Sequence, residues 1–116
     1  MAKDRLITFY EPVLTKTGSG AERTQYRELT SDAQEWAEVD WMFRGTETDE
    51  GKQRVAENPI QLKIWYRSDL REKYLIELEG RYYDITKISE GKYRRVETLI
   101  EAKAKDNDWT IPLYTP

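Results

Sequence analysis

The sequence predicts an all-β fold, either a small antiparallel β-barrel or a sandwich of about six strands, with one short helix in a long loop. Three observations support this prediction. Short segments of alternating apolar and polar residues recur along the chain, turns containing Gly or Pro separate them, and 116 residues leave room for one core only. The composition, 38% hydrophobic and 35% charged, is typical of a globular domain in water.

The N-terminal part of the chain predicts one strand and several irregular segments. Residues 5–12 place Ile7 and Phe9 on one strand face, and Pro12 ends the strand. Residues 15–20, with two Gly, two Thr and a Ser, predict a flexible loop. Residues 22–28 are short and polar, which favours an irregular edge segment.

The middle of the chain predicts a second strand followed by a long excursion. Residues 31–34 resemble a capping box and predict a turn of helix before the strand. The strand itself covers residues 36–44, where Ala37, Val39, Trp41 and Phe43 form an apolar face. Residues 46–58 have acidic residues first and basic residues later, the order that favours a short helix.

The next segments give the clearest alternation. Residues 60–67 alternate strictly and predict a strand. Residues 74–79 and 82–88 flank Gly80-Arg81, which predicts a tight hairpin because Gly80 can adopt a positive φ. In the second arm Ile88 falls out of phase, so we expect a β-bulge near residues 86–87, a device that helps a sheet curl into a barrel.

The C-terminal part holds one open alternative. Residues 94–104 alternate and predict a last strand, whereas the helix formers of residues 95–105 favour a helix by propensity alone. The alternation and the preceding hairpin favour the strand. We expect residues 1–105 to form the barrel domain and residues 106–116 a separate C-terminal tail.

The composition excludes many catalytic classes. The chain has no His and no Cys, so it can hold neither a Cys/His zinc site nor a Cys nucleophile, a Ser-His triad or a disulfide. The carboxylates Glu47, Asp49 and Glu50 lack the spacing of a calcium-binding loop, and the first turn of a helix explains them. We therefore predict no catalytic residues, no cofactor and no metal, and a protein that is not an enzyme.

Charge is distributed unevenly along the chain. Residues 21–58 hold five basic and ten acidic side chains, a net charge of −5, and residues 87–105 hold six basic and three acidic ones, a net charge of +3. Such an asymmetry lets copies or partners stack head to tail, since complementary charge at an interface sets orientation. Ordinary solvated faces are the alternative explanation.

Aromatic residues make up 12% of the chain. We expect Trp36 and Trp41 to pack in the core, because the acidic neighbours Glu38 and Asp40 would repel the phosphates of a nucleic acid. Trp65 lies on a polar strand face and Trp109 lies in the tail, so an interface role is as plausible for them as burial. A small barrel that binds single-stranded nucleic acid remains an alternative function.

In its order of segments the chain resembles the bacteriophage head–tail joining proteins (head–tail adaptor, connector or head-completion proteins) of long-tailed phages and prophages. The resemblance extends over about residues 5–105, and the ordered set at matching spacing carries it, since no single segment is a chemical motif. The segments are residues 5–7, 36–39, 44–47, 60–67, 80–85 and 94–99.

The resemblance implies a structural virion protein without catalysis. In that family a β-barrel protomer assembles into a ring, commonly twelve-fold, beneath the portal, where it extends or closes the DNA channel and docks the tail. The expected partners are further copies of the chain, portal or adaptor proteins, tail-completion proteins and passing double-stranded DNA bound without sequence specificity, with no membrane. The expected location is the virion neck, after assembly in the cytoplasm of a bacterial host.

The resemblance also suggests places for the site residues. Glu47, Asp49 and Glu50 are the candidate channel-facing loop, in which acidic side chains let DNA slide. The candidate subunit or partner interface comprises Thr17, Ser19, Trp65, Trp109, Ile111, Leu113 and Tyr114.

The closest alternative function is that of a tail-completion or tail-terminator subunit on a related scaffold.

Overall fold

A computed structural model of the chain describes residues 3–16, 18–41, 59–91, 96–105 and 110–114. The described residues form seven β-strands and no helix. The predicted helix of residues 46–58 lies outside the described residues. The strands are β1 (Arg5–Lys16), β2 (Glu22–Glu28), β3 (Gln34–Asp40), β4 (Ile60–Trp65), β5 (Leu75–Leu78), β6 (Arg81–Glu90) and β7 (Glu97–Ala104).

Six of the strands close into an antiparallel barrel. The order around the barrel is β1, β3, β4, β7, β6 and β5, and β5 pairs back with β1 to close it. β2 is an additional strand, which pairs with residues 10–16 of β1. The predicted all-β fold is confirmed, and of the two predicted architectures the structure is the barrel.

The core lies inside the barrel and comes from alternate residues of its strands, as expected when a curved sheet buries one face. β4 shows this most clearly, since Ile60, Leu62 and Ile64 are buried while the residues between them are not. Leu70 adds a buried side chain from the β4–β5 connection. Further fully or almost fully buried side chains are Ile7, Phe9, Ala37, Ile76, Leu78, Tyr83, Ile85, Ile100 and Ala102.

The predicted hairpin and bulge are both present. Strands β5 and β6 are joined by Glu79 and Gly80, whose φ angles of 53° and 87° are both positive, as in the primed turns that suit hairpins. The turn therefore begins one residue earlier than predicted. The β6–β7 register shifts between Ile85 and Lys87, which brings Ile88 back into phase with Ile100.

The prediction that Pro12 ends the first strand is wrong. β1 continues to Lys16, so part of the predicted flexible loop is strand, and residues 22–28 form the regular strand β2 instead of an irregular segment. Pro12 is tolerated because its partner Tyr26 directs its own N–H and C=O away from β1, toward residues 112–114. The missing N–H of Pro12 thus breaks no ladder bond.

The segment before β3 also differs from the prediction. Residues 31–33 form no helical turn; Asp32 has φ of 53°, which is incompatible with a right-handed helix, and β3 begins at Gln34. The strand ends at Asp40, its last pairing with β4, so Trp41 lies in a turn and is 42% exposed. The prediction that Trp41 packs in the core is therefore wrong.

The open alternative at the C-terminus is settled in favour of the strand. β7 pairs with β4 on one side and with β6 on the other, through Glu97–Ala104. Two ladders and the burial of Thr98, Ile100 and Ala102 outweigh the helix propensity of the segment.

Candidate assembly surface

The predicted site residues fall into two groups. The roles of all ten remain predictions, and five of the residues lie outside the described part of the chain: Thr17, Glu47, Asp49, Glu50 and Trp109. The other five occupy three places. Trp65 lies on the barrel wall, Ser19 lies in the β1–β2 turn, and Ile111, Leu113 and Tyr114 lie beside β2.

A patch of exposed apolar side chains lies on the outer wall of the barrel and at the adjoining barrel end. We call it the tryptophan patch, and its members are Leu6, Trp36, Trp65, Tyr66 and Val96. Leu6, Trp36 and Trp65 point outward, whereas Tyr66 and Val96 follow the phase of the buried residues of β4 and β7 and lie where these strands leave the barrel. Leu6 and Trp36 are cross-strand partners on β1 and β3. The Tyr66 N–H donates to the Val96 carbonyl at 3.1 Å, which joins the end of β4 to the start of β7.

The two tryptophans of the patch point outward from adjacent strands. The β3–β4 pairing ends at Glu38 and Lys63, and its register, if continued by two residues, would place Trp36 opposite Trp65. The Arg67 guanidinium lies 3.5 Å from the Glu35 carboxylate and so links the end of β4 to β3. Trp36 is 52% exposed and Trp65 is 57% exposed. The prediction that Trp36 packs in the core is wrong, because it points away from the face that buries Ala37.

Lys3 fixes one tryptophan of the patch. Its ammonium lies 3.9 Å from the centre of the Trp65 ring and 2.6 Å from Oε2 of Glu97, the cross-strand partner of Trp65. This cation–π contact and ion pair hold the ring against the sheet. The hydrogen bond from Lys3 holds the pKa of the Glu97 carboxyl below its usual value, against a smaller opposing effect of desolvation.

Arg67 ties the strands together behind the patch. Its guanidinium donates two bonds to the Asp69 carboxylate, at 2.9 and 2.7 Å, and one to the Asp32 carbonyl at 2.7 Å. The backbone of Arg67 exchanges two hydrogen bonds with the buried Thr98 hydroxyl, and its guanidinium lies 5.1 Å from the Phe9 ring centre. These contacts fix the backbone that carries Trp65 and Tyr66.

A hairpin projects from the barrel wall. Residues 5–10 of β1 pair with β3 or β5, whereas residues 11–16 have β2 as their partner among the described strands. We call residues 11–16 and 22–27 the arm. Leu14, opposite Thr24 on the arm, is 67% exposed. A large apolar side chain on a projecting polar hairpin is a candidate contact.

The C-terminal residues lie against β2. The Tyr26 N–H donates to the Pro112 carbonyl at 2.9 Å, and the Tyr114 N–H donates to the Tyr26 carbonyl at 2.8 Å. Leu113 forms the parallel bridge to Tyr26, with its own side chain 54% exposed. Residues 110–114 show no alternating pattern, so their pairing with β2 could not be predicted from the sequence.

No group of three or more Asp or Glu side chains among the described residues is placed to hold a metal ion. Burial, with added repulsion from Tyr82 and nearby carboxylates, raises the pKa of Tyr10 to about 12, so its phenol stays neutral at ordinary pH. The described part of the chain also contains no helix that is long and apolar enough to span a bilayer.

Comparisons with known proteins agree with this architecture. The family model of the phage head completion protein matches residues 3–105. The solution structure of protein SF1141 from Shigella flexneri 2a is similar, with a TM-score of 0.64 and 17% identity, covering 90% of this chain and 94% of that one. A chain in the virion of a native gene transfer agent particle gives a TM-score of 0.61 at 17% identity, over 90% and 96% of the two chains. No curated protein matches the sequence.

Proposed function

Because the chain belongs to the phage head completion protein family, we propose that it is a subunit of the head–tail connector of a tailed phage or prophage. The match over residues 3–105 is the observation that carries the proposal. It confirms the family predicted from the sequence and makes the chain a structural protein of a phage-type particle. Similarity to a chain of a gene transfer agent virion supports the same class of protein.

The proposed assembly is a ring beneath the portal, commonly twelve-fold, that extends or closes the DNA channel and docks the tail. Portal or adaptor proteins contact one face and tail-completion proteins contact the other. The tryptophan patch and the arm support an assembling subunit, because a monomer has no need for such exposed apolar side chains. The location is the virion neck, after assembly in the cytoplasm of the host bacterium.

The channel-facing residues of the proposal are Glu47, Asp49 and Glu50. Their negative charge keeps phosphates from being neutralised by the wall, so DNA passes without adhering. The chain as a whole supports this role, since its net charge is −3 and residues 21–58 alone carry −5.

Removing the gene and examining the particles by electron microscopy tests the proposed function. We expect heads that fail to join tails, and we expect the chain, supplied in trans with a visible tag, to restore joining and to label the neck. Normal tailed particles in the absence of the chain would overturn the proposal. A label at the end of the tail, away from the portal, would favour a tail-terminator subunit.

One observation favours a second candidate, a small barrel that stacks single-stranded nucleic acid. Trp36 and Trp65 are exposed on adjacent strands, as in base-stacking platforms. Carboxylates flank them, however: Glu35 and Glu38 on β3 and Glu97 on β7. A titration with labelled single strands at several salt concentrations decides, since affinity that falls steeply with salt would support nucleic-acid binding.

A further inference from the structure

We infer that the tryptophan patch of one copy of this chain binds the arm of a second copy, in a head-to-tail contact. The inference rests on the proposed ring and names the surfaces that build it. Two features of the described residues are not needed to build the barrel. They are a pair of exposed tryptophans and a projecting hairpin with an exposed leucine.

The patch has the composition of an interface centre. Trp36 and Trp65 are each more than half exposed, and together they present on the order of 200 Å² of ring surface to solvent. Leu6 extends that apolar area on β1, and Tyr66 and Val96 adjoin it at the end of the barrel, where the Tyr66 N–H bonds to the Val96 carbonyl. Binding energy at interfaces concentrates in such aromatic centres, which a polar rim encloses.

The patch is also held rigid before any partner arrives. Lys3 and Glu97 clamp Trp65 from one side, and the bonds of Arg67 fix the backbone behind it. A surface that is ordered in the free subunit loses less conformational entropy on binding. The contacts of Lys3 and Glu97 with Trp65 therefore favour association with a partner.

The arm supplies a matching occupant from the same chain. Leu14 lies eight residues from Leu6 on β1, which at the usual strand rise separates arm and patch by about 27 Å. One copy therefore cannot fill its own patch with its own arm. The patch of the next copy is within reach of the arm, because residues 11–16 extend past the barrel strands.

Charge favours the same pairing. The outward-facing charges of β3 and β4 beside the tryptophans are Glu38 and Asp40 against Lys63 alone, while Lys3 and Glu97 pair with each other. The end of the arm carries Lys16 and Arg23 against Glu22 alone. Opposite net charges at the rim orient the two surfaces and disfavour patch-to-patch or arm-to-arm contact.

A contact between two different surfaces is heterologous, so each copy keeps one free patch and one free arm until the assembly closes. Closed rings arise in this way, whereas a self-complementary surface ends at a dimer. The exposure of both surfaces in a single chain is thus what a ring subunit requires.

Disulfide trapping between two single-cysteine variants tests the inference. The chain has no Cys of its own, so Thr24→Cys on the arm and Val96→Cys at the edge of the patch introduce one thiol each and leave Leu14 and both tryptophans in place. One variant carries a tag that separates the products by size. The two are mixed at high protein concentration and oxidised mildly.

We expect the mixed disulfide to dominate and to exceed that of a control pair by roughly tenfold, the ratio expected for a contact of hot-spot strength. The control pairs Thr24→Cys with Lys87→Cys, an exposed position on β6, across the barrel from β3. Adding Leu14→Glu to the arm variant should lower the mixed product to the control level.

Two results would overturn the inference. A Val96→Cys homodisulfide as the main product would show a two-fold patch-to-patch contact, and equal yields from the test and control pairs would show random collision. Either result leaves the proposed function standing if the tagged chain still labels the particle neck. Failure of that labelling would instead overturn the proposed function itself.

Discussion

Arg67 illustrates how one side chain fixes a surface to which it does not itself belong. Its side chain is only 9% exposed and donates to the Asp32 carbonyl and the Asp69 carboxylate, while its backbone N–H donates to the Thr98 hydroxyl. Its planar fork suits the two parallel bonds to Asp69. The pKa of the Asp69 carboxyl is accordingly held below its usual value, mainly by those hydrogen bonds.

Replacement of Arg67 by Lys should lower stability despite the conserved charge. A lysine cannot make both bonds to Asp69 and the bond to the Asp32 carbonyl at once, so we expect a loss of about 1–3 kcal/mol in the free energy of unfolding. Urea denaturation measures this loss in the free energy of unfolding. Arg71→Lys is the control, because Arg71 is exposed and its guanidinium donates to the nearby carbonyls of Ser68 and Leu70. Equal losses in both variants would contradict the role assigned to Arg67.

The Lys3–Glu97 pair predicts a defined dependence of stability on acid. The pKa of Glu97 lies below its usual value of 4.5, chiefly because Lys3 donates to the carboxylate. The folded state therefore binds this proton less readily than the unfolded state, so the stabilisation is present above 4.5 and is lost as the pH falls through the lower folded pKa.

Thermal melts across that pH range check the sign. We expect Glu97→Gln to melt below the parent at neutral pH and the two melting temperatures to converge in acid. Glu22→Gln, at an exposed acid of β2, is the control and should follow the parent at every pH. A gap between Glu97→Gln and the parent that widens in acid would contradict the assignment.

At the scale of elements, the sequence predicts strands that bury one face and fails where neither face is buried. β4, β7 and the β5–β6 hairpin could be predicted because their alternation matches burial in the barrel. β2 could not, because six of its seven residues are polar and its stability comes from β1 alongside it. The exposure of Trp41 depends on where β3 stops pairing with β4, and that register is set by distant residues.

For the tryptophan patch too, part could be predicted from the sequence and part could not. The exposure of Trp65 could be predicted, because it shares a strand face with the polar Gln61 and Lys63, whereas its role as a contact residue stays a prediction. Its position on the strand next to Trp36, and the contact of Lys3 with its ring, depend on strand order and register, for which a single sequence carries no local signal.

The β5–β6 turn gives a prediction at the level of one element. Gly80 has φ of 87°, which strains any L side chain, so Gly80→Ala should cost about 1–2 kcal/mol. Gly18→Ala is the matched control, because a Cβ there meets nothing within 4 Å and φ is not positive, and it should change stability by less than about 0.5 kcal/mol. Chemical denaturation of the two variants compares them. A Gly80→Ala variant as stable as the control would contradict the turn geometry.

The C-terminal segment, residues 110–114, gives a second prediction about the stability of one element. Truncation after residue 109 removes both hydrogen-bond partners of the Tyr26 backbone, so we expect a loss of about 1–3 kcal/mol in the free energy of unfolding. Leu113→Ala should cost less than about 0.5 kcal/mol, because that side chain is half exposed and its bonds are made by the backbone. Calorimetry of both variants separates the contribution of the backbone hydrogen bonds from that of the Leu113 side chain. An unchanged melting temperature after truncation would show that the segment adds nothing to the fold.

The whole molecule combines a closed barrel with an acidic segment whose proposed place is the DNA channel. Replacement of Glu47, Asp49 and Glu50 by Lys removes three negative charges and adds three positive ones, which turns the net charge from −3 to +3. We expect DNA passage to slow and infectivity to fall, because lysines bind phosphates and release counterions. The melting temperature of the isolated chain should stay nearly unchanged. Particles of normal infectivity would argue against a channel position for these residues.

Strand β1 runs without interruption from the barrel wall into the arm, and this continuity determines how the subunit responds to a pull. The hydrogen bonds that hold residues 5–10 to β3 and β5 run across the strand axis. Tension along the arm therefore loads these rungs together in shear, instead of peeling them apart one at a time. A neighbour that pulls on Leu14 thus acts on the whole barrel wall, so the subunit serves as a stiff mechanical tie.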